Sequence, residues 1–532
     1  MPRPSRRGGK RSRKQGEIRF MEAMLRSDTL HYLKKILDVS FTHEETAETI
    51  VPDSMPDILE IVNTAGMVVM RSKETDTGRV GVSGTVRAAV LYRPDGAERL
   101  QKLELNIPFS AETEAPAATP DSKLLVSLRL GSIDARTLNS RKTLVRADVL
   151  VEMLAYEPES LIGYPDLEPG ASPDIQLLRN SVPMTLTTQV QEKTFVLSDE
   201  FVLPAGHPPI EEMLRAGVQL ETEDVKTVGN KLIFKGLATV RLLYIGKTET
   251  EPVAAEFTAS FSQIMEMNGE EDTLEQDVRV TLTNLYVEYE NSAVAENTTI
   301  SVELHMAAQA RVRKTVELWY IADTYMAAFN LTEARGQLEA GSELSPIRLD
   351  TELRERVEFA EGIRKIIDLG ATVGTVTANP GEADRTLRAN IWVSALVETD
   401  DGRTVGITKR LEATATVQEA PDTVYSADAS IGNGLTAVPV GDGLELRVPV
   451  RFGLRPVRKV GLSVVTGITW DAEQEKDLSS LPSVTVYRAM EGESFWQLAK
   501  KYASTEELIR LANGMEEGQP QPGQLFIIPK RR

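Results

Sequence analysis

A register that returns twice further along the chain constrains its fold more than anything else. It is carried by Pro52, Pro56, Ile58, Ile61, Val62, Ala65, Gly84 and Tyr92. The residues 152 positions later are Pro204, Pro208, Ile210, Met213, Leu214, Gly217, Gly236 and Tyr244, with no insertion. A displacement of 305 takes the later members to Ile363, Ile366, Ile367, Gly370, Ala389 and Val397; the prolines have no third counterpart. One apolar match at a fixed offset means little, but a whole register preserved over residues 52–92 is what tandem duplication leaves. The body of the protein therefore reads as three copies of one domain.

Periodicity suggests what each copy contains. Ile58, Leu59, Ile61 and Val62 have i, i+3, i+4 spacing after a Pro-x-x-x-Pro turn, which predicts a short amphipathic helix with Pro56 or Pro208 in its first turn. The period then falls to two: Val80, Val82, Val86, Val90 and Tyr92 alternate and are mostly β-branched. Further strands are expected at Leu103 to Phe109, Leu124 to Leu130 and Thr143 to Leu154, and a helix at Asp28 to Leu37 with Leu30, Leu33, Ile36 and Leu37 on one face. The predicted fold class is mainly β, with three tandem sandwich-like repeat domains, each with a short helix, and a small C-terminal β-α-α-β unit.

The chain divides accordingly into a basic disordered leader (1–27), a first repeat (28–158), a Pro/Gly-rich linker (159–185), a second repeat (186–332) with an acidic loop at 269–272, and a third (345–471). A polar linker (472–483) leads to the terminal unit (484–530). Translation from Met21 or Met24 is an alternative reading of the leader.

Net charge is −19, although the first fourteen residues hold seven bases and no acid. Such an acidic body disfavours nucleic acid and anionic membrane as partners. The chain has no cysteine, which excludes disulfides and thiolate zinc sites and fits a reducing compartment. It shows neither an apolar run long enough to span a membrane nor an apolar stretch behind the basic leader that would make a secretory signal. His31, His43, His207 and His305 are scattered, and His43-Glu44-Glu45 lacks the second histidine of a zincin. With no phosphate loop, nucleophile elbow or calcium-loop spacing, no catalytic residue, metal or cofactor is expected, and the chain reads as not an enzyme.

The last residues carry the most specific motif. Val484-Thr485-Val486 is a short strand, and Ser494 with Gln497 makes a capping box that opens a helix whose Phe495, Leu498, Ala499 and Tyr502 share a face. Ser504 with Glu507 reads as a second box, opening a helix with Leu508, Leu511 and Ala512 inward and ending at Asn513-Gly514. Pro522-Gly523-Gln524 turns into a closing strand from Leu525 to Ile528. The order Gly492-Glu493-Ser494-Phe495-Trp496, Leu498-Ala499, Tyr502, Ala512-Asn513, Pro522-Gly523-Gln524 resembles a LysM domain.

The two loops at one end of that unit form the candidate groove for a ligand or partner: Gly492, Glu493, Ser494, Phe495 and Trp496, with Gly514, Met515, Pro522 and Gly523. Phe495 and Leu498 are assigned to the core and Ser494 first to capping. Trp496 stands open between core and contact surface; the sharper expectation is an exposed edge beside Met515.

The upstream copies, through the Pro-x-x-x-Pro-x-Ile turn and the Gly-x7-Tyr strand, resemble SPOCS domains of spore-coat-associated proteins in endospore-forming Firmicutes. That resemblance implies a mother-cell cytoplasmic scaffold at the forespore surface, whose LysM docks on a SpoIVA-like coat ATPase and tethers the coat basement layer. The alternative implied by LysM is a cell-wall protein that binds peptidoglycan, an N-acetylglucosamine polymer.

Overall fold

The computed structural model describes residues 20–531 apart from 97–98, 173, 248, 269–274, 293–296, 382–383, 442 and 480–481. The basic leader as far as residue 19 and the acidic loop at 269–272 lie outside the described residues. After β1 (Phe20–Ala23), the first copy runs β2 (Leu25–Ile50), β3 (Ile58–Asp76), β4 (Arg79–Pro94), β5 (Gln101–Glu114), β6 (Lys123–Asn139) and β7 (Lys142–Leu167). The second repeats that order as β8 (Ile175–Val202), β9 (Ile210–Val228), β10 (Lys231–Gly246), β11 (Pro252–Glu266), β12 (Glu275–Asn291) and β13 (Thr298–Met326).

In the third copy two strands are broken. β14 (Phe329–Glu343) and β15 (Ile347–Glu358) flank Pro346, whose missing N–H interrupts a ladder; β19 (Thr423–Ile431) and β20 (Thr436–Val440) flank a Gly-Asn-Gly turn. Between them lie β16 (Ile363–Pro380), β17 (Asp384–Thr399) and β18 (Thr404–Gln418), and β21 (Gly443–Glu475) closes the copy. The terminal unit is β22 (Val484–Arg488), α1 (Phe495–Lys501), α2 (Glu506–Ala512) and β23 (Leu525–Pro529).

Each copy has an antiparallel meander, β3-β4-β5, β9-β10-β11 or β16-β17-β18, over a core shared with its longer strands. The long strands extend beyond that core and pair again as ribbons, with Thr29 opposite Ile162, Ser181 opposite Trp319 and Leu338 opposite Leu462. Met184, Leu186, Leu318, Leu161 and Leu338 pack between the ribbons.

The helix expected after each Pro-x-x-x-Pro turn is instead strand: residues 58–65 belong to β3, 210–217 to β9 and 363–370 to β16. The reason is a pair of β-bulges at equivalent places. The register skips Leu59 and Val62 in β3, Glu211 and Leu214 in β9, and Arg364 and Ile367 in β16. Each bulge adds one residue and turns a spacing of two into three, which imitates helical periodicity. The predicted helix at 28–37 fails for the same cause, since β2 skips Ile36 between Lys35 and Leu37.

The bulges place Val62, Leu214 and Ile367 in one buried cluster with Leu91, Leu243 and Leu396, which are themselves equivalent positions. The three meanders therefore meet through like residues. The next position differs in each copy: Arg215 donates to Asn63 Oδ1 at 2.9 Å and pairs with Asp368, while Asn63 Nδ2 reaches Ser394 Oγ at 2.9 Å. One side chain repeated three times could not satisfy this cluster, because three guanidiniums would repel. At another contact among the copies, burial pushes the Glu152 carboxyl up, but Arg129, Arg279 and Arg455 outweigh it and hold it below its ordinary value.

Two further boundaries need correction. Of the expected linker 159–185, residues 159–167 are the end of β7 and residues 175–185 the start of β8, leaving only the turn between them. Beyond Tyr156, β7 pairs with β2 alone, so Pro158 and Pro165 leave no ladder partner unmet on the open side. Phe20–Ala23 form β1, with Met21 opposite Trp470, and β2 begins at Leu25, so residues 20–23 and 25–27 are strand rather than disordered leader.

Candidate functional site

The terminal unit is a two-stranded antiparallel sheet, Val486 opposite Ile527, covered on one face by both helices. Ser494 caps α1 as expected: its side chain accepts from Gln497 N at 3.2 Å, and Ser494 N donates to Gln497 Oε1 at 3.0 Å. Phe495 and Leu498 are buried, Phe495 set edge-on against Phe526. The second box is displaced by one residue: Thr505, not Ser504, caps α2. That rotation buries Ile509 and leaves Leu511, expected inward, 77 % exposed.

The candidate groove residues separate into two places. Gly492, Gly514 and Gly523 adopt positive φ at exposed turns, where a side chain would be strained. Gly523 N donates to Ala489 O at 2.8 Å and Ala489 N to Gln524 O at 2.9 Å, which joins the closing turn to the end of β22. Glu493 fastens the same end. Met490 N–H donates to it at 2.9 Å and Tyr487 hydroxyl at 2.8 Å, holding its carboxyl below the ordinary value. Pro522 is exposed and Met515 half-buried against the unit's core. Beside these loops the outer face of the sheet exposes Val486, Leu525 and Ile527.

Trp496 lies elsewhere. It is 7 % exposed, so the expectation of an open edge beside Met515 is overturned. Its ring stands edge-on to Tyr325 at 4.8 Å, and Nε1 donates to Asp323 Oδ2 at 2.7 Å. Lys500 Nζ binds the same carboxylate at 2.7 and 2.9 Å. Tyr325 hydroxyl donates to Ser504 O at 3.0 Å, and Arg531 pairs with Asp174 at 2.7 Å. Asp323 and Tyr325 belong to β13, so the terminal unit is seated on the second copy. Burial pushes the Asp323 carboxyl up, but hydrogen bonds from Lys500 and Trp496 prevail and keep it below its usual range. Burial also raises the Tyr325 phenol. The indole N–H needs a buried acceptor, and Asp323 supplies it. Reasoning within the C-terminal motif could not find Asp323 or Tyr325, which lie far away in sequence; the aromatic-acid pair at the end of a strand was the only signal.

Residues 57–138 and 209–290 each match the family described as SipL, SPOCS domain, and residues 487–529 match the LysM domain. The chain has a SPOCS-plus-LysM architecture. The SPOCS matches span β3 to β6 and β9 to β12. No curated protein and no solved structure matches the chain. The SPOCS matches cover less than half of the chain, the LysM match is to a peptidoglycan-binding-type domain, and both are non-catalytic domain families.

The third copy keeps the strand order of the SPOCS repeats while its sequence departs, and the departures are coupled. Gly84 lies opposite Phe109 and Gly236 opposite Phe261, and a Cβ at either glycine would collide with the ring. In the third copy Ala389 faces Ala413, so the glycine is no longer needed. Tyr92 hydroxyl donates to Pro56 O at 3.1 Å, and Tyr244 hydroxyl lies 3.2 Å from His207 Nδ1. Val397 replaces that tyrosine where the proline turn is also gone.

Among the described residues, no group of three His, Cys, Asp or Glu is placed to hold a metal, and no helix is long and apolar enough to cross a membrane.

Proposed function

We propose that this chain is a non-enzymatic scaffold of spore coat morphogenesis that works in the mother-cell cytoplasm. Its LysM domain engages a SpoIVA-like coat ATPase at the forespore surface and so tethers the coat basement layer. The observation that supports this reading most is the orientation of LysM. Trp496 and Lys500 face the second SPOCS copy, whereas Gly492, Pro522, Gly523 and the apolar sheet face of Val486, Leu525 and Ile527 face outward. A domain held on a large body and presenting an apolar face suits a protein partner, since such faces are common at interfaces.

The test is capture of the coat ATPase from sporulating-cell lysate by the full chain. Capture is expected to fail with a chain ending at Asp477 and with a Met490→Glu, Leu525→Glu variant, both substituted side chains being exposed in the parent. Retention on purified peptidoglycan without capture of the ATPase would replace this reading with a glycan-binding one.

A further inference from the structure

Where the three meanders meet, a cavity of about 710 Å³ opens among β3, β4, β5, β6, β9, β10, β12, β16, β17 and β18. Small-molecule sites commonly have volumes of roughly 300–1,000 Å³. Met67, Ile133, Met213 and Leu369 give the cavity an apolar side. On its charged side, Arg215 is neutralised by Asp368, Lys102 by Glu104 at 2.8 Å and Arg241 by Glu256 at 2.7 Å. Arg87 differs from these three. Its half-buried guanidinium donates to two neutral acceptors, the Asn284 side-chain oxygen and, at 2.8 Å, the Leu285 carbonyl. Among the described residues no carboxylate is paired with it. A guanidinium partly withdrawn from water is stabilised by an anionic oxygen, and its fork geometry suits carboxylates and similar groups.

We propose that this cavity binds an amphipathic organic monoanion, with its charged group on Arg87 and its apolar body along Met67, Ile133, Met213 and Leu369. Hydrophobic burial would supply affinity and the single uncompensated charge would select for one anionic group. The site is shared by the copies, so it exists only when all three are docked. It is independent of any ligand at the LysM loops.

The experiment titrates the full chain with 1-anilinonaphthalene-8-sulfonate, an aromatic sulfonate whose fluorescence rises in apolar surroundings, and then adds octanoate as a competing carboxylate. Gly217 and Gly370 line the cavity, and a Cβ at either meets no atom within 4 Å. A Gly217→Leu, Gly370→Leu variant therefore fills the space with little disturbance to its wall. The expected result is saturable binding of one dye per chain, reversed by octanoate and weakened about ten-fold or more in the filled variant, at unchanged circular dichroism and melting. Arg87→Gln is expected to weaken binding by a similar factor and Arg87→Lys to restore most of it, which keeps the test decisive where the filled variant does not fold. Undiminished binding in a folded filled variant, equal binding by Arg87→Gln and the parent, or no saturable binding by the parent overturns the proposal.

Discussion

The contacts among the three copies and the contact between LysM and the second copy are built on different plans. The copies meet through equivalent positions, Val62, Leu214 and Ile367, backed by Leu91, Leu243 and Leu396, and all are buried. LysM meets the body through unlike groups: the Tyr325 phenol against the Trp496 indole, an Arg531–Asp174 ion pair, and Asp323 receiving both Trp496 and Lys500. The first arrangement has the character of a core divided among three domains, and it is locked by polar residues that differ from copy to copy. The second resembles a small interface in which a few anchors carry the energy. The body is thus expected to behave as one cooperative object, and LysM as a module that can leave its seat without unfolding the rest.

Five experiments can break or sharpen this contrast. The largest effect is expected from Leu214→Ala, which empties a fully buried position shared by the copies: about 4 kcal/mol, read as a lower urea midpoint for the body as a whole. Separate transitions for the three copies would contradict the shared core. Arg215→Met should cost about 3 kcal/mol by stranding Asp368, and adding Asp368→Leu should recover much of it, because replacing both partners removes the uncompensated charge. Tyr325→Ala acts from the body side and leaves the LysM sequence intact. It should weaken the seat by about 2 kcal/mol, seen as roughly 30-fold faster protease cleavage in residues 476–483, while the urea midpoint of the body stays put.

Acidification should loosen the same contact. The folded-state value for Asp323 lies below its ordinary one, so its stabilisation is present above about pH 3.9 and is lost as the pH falls through the lowered value. Cleavage of the same segment by an acid-active protease measures this, and Asp323→Asn should abolish the dependence. The smallest effect belongs to Ser494→Ala, about 1 kcal/mol from loss of the α1 cap, confined to LysM melting.

Repetition and the terminal motif were legible in the sequence because each leaves local marks: a fixed offset for one, capping residues and Gly turns for the other. Strand identity at residues 58–65 was not legible, since bulges at Leu59 and Val62 convert alternation into helix-like spacing. The same bulges aim Val62 and its counterparts at the neighbouring copies, so the misleading pattern and the assembly have one cause. The geometry of the candidate groove residues was half legible. Gly492, Gly514 and Gly523 follow from turn chemistry, but Trp496 could be placed only by knowing that Asp323 and Tyr325 wait on β13. An indole in a small domain reads equally well as core, ligand platform or docking anchor until its distant acceptor is known.

The seat of LysM is tested most directly by the indole N–H of Trp496, one of four tryptophans, followed by nitrogen-15 NMR of the full tryptophan-labelled chain in deuterated water. Slow exchange in the parent and fast exchange in an Asp323→Ala, Tyr325→Ala variant are predicted. Equally fast exchange in both would show that Trp496 faces solvent and that LysM is not seated on the second copy.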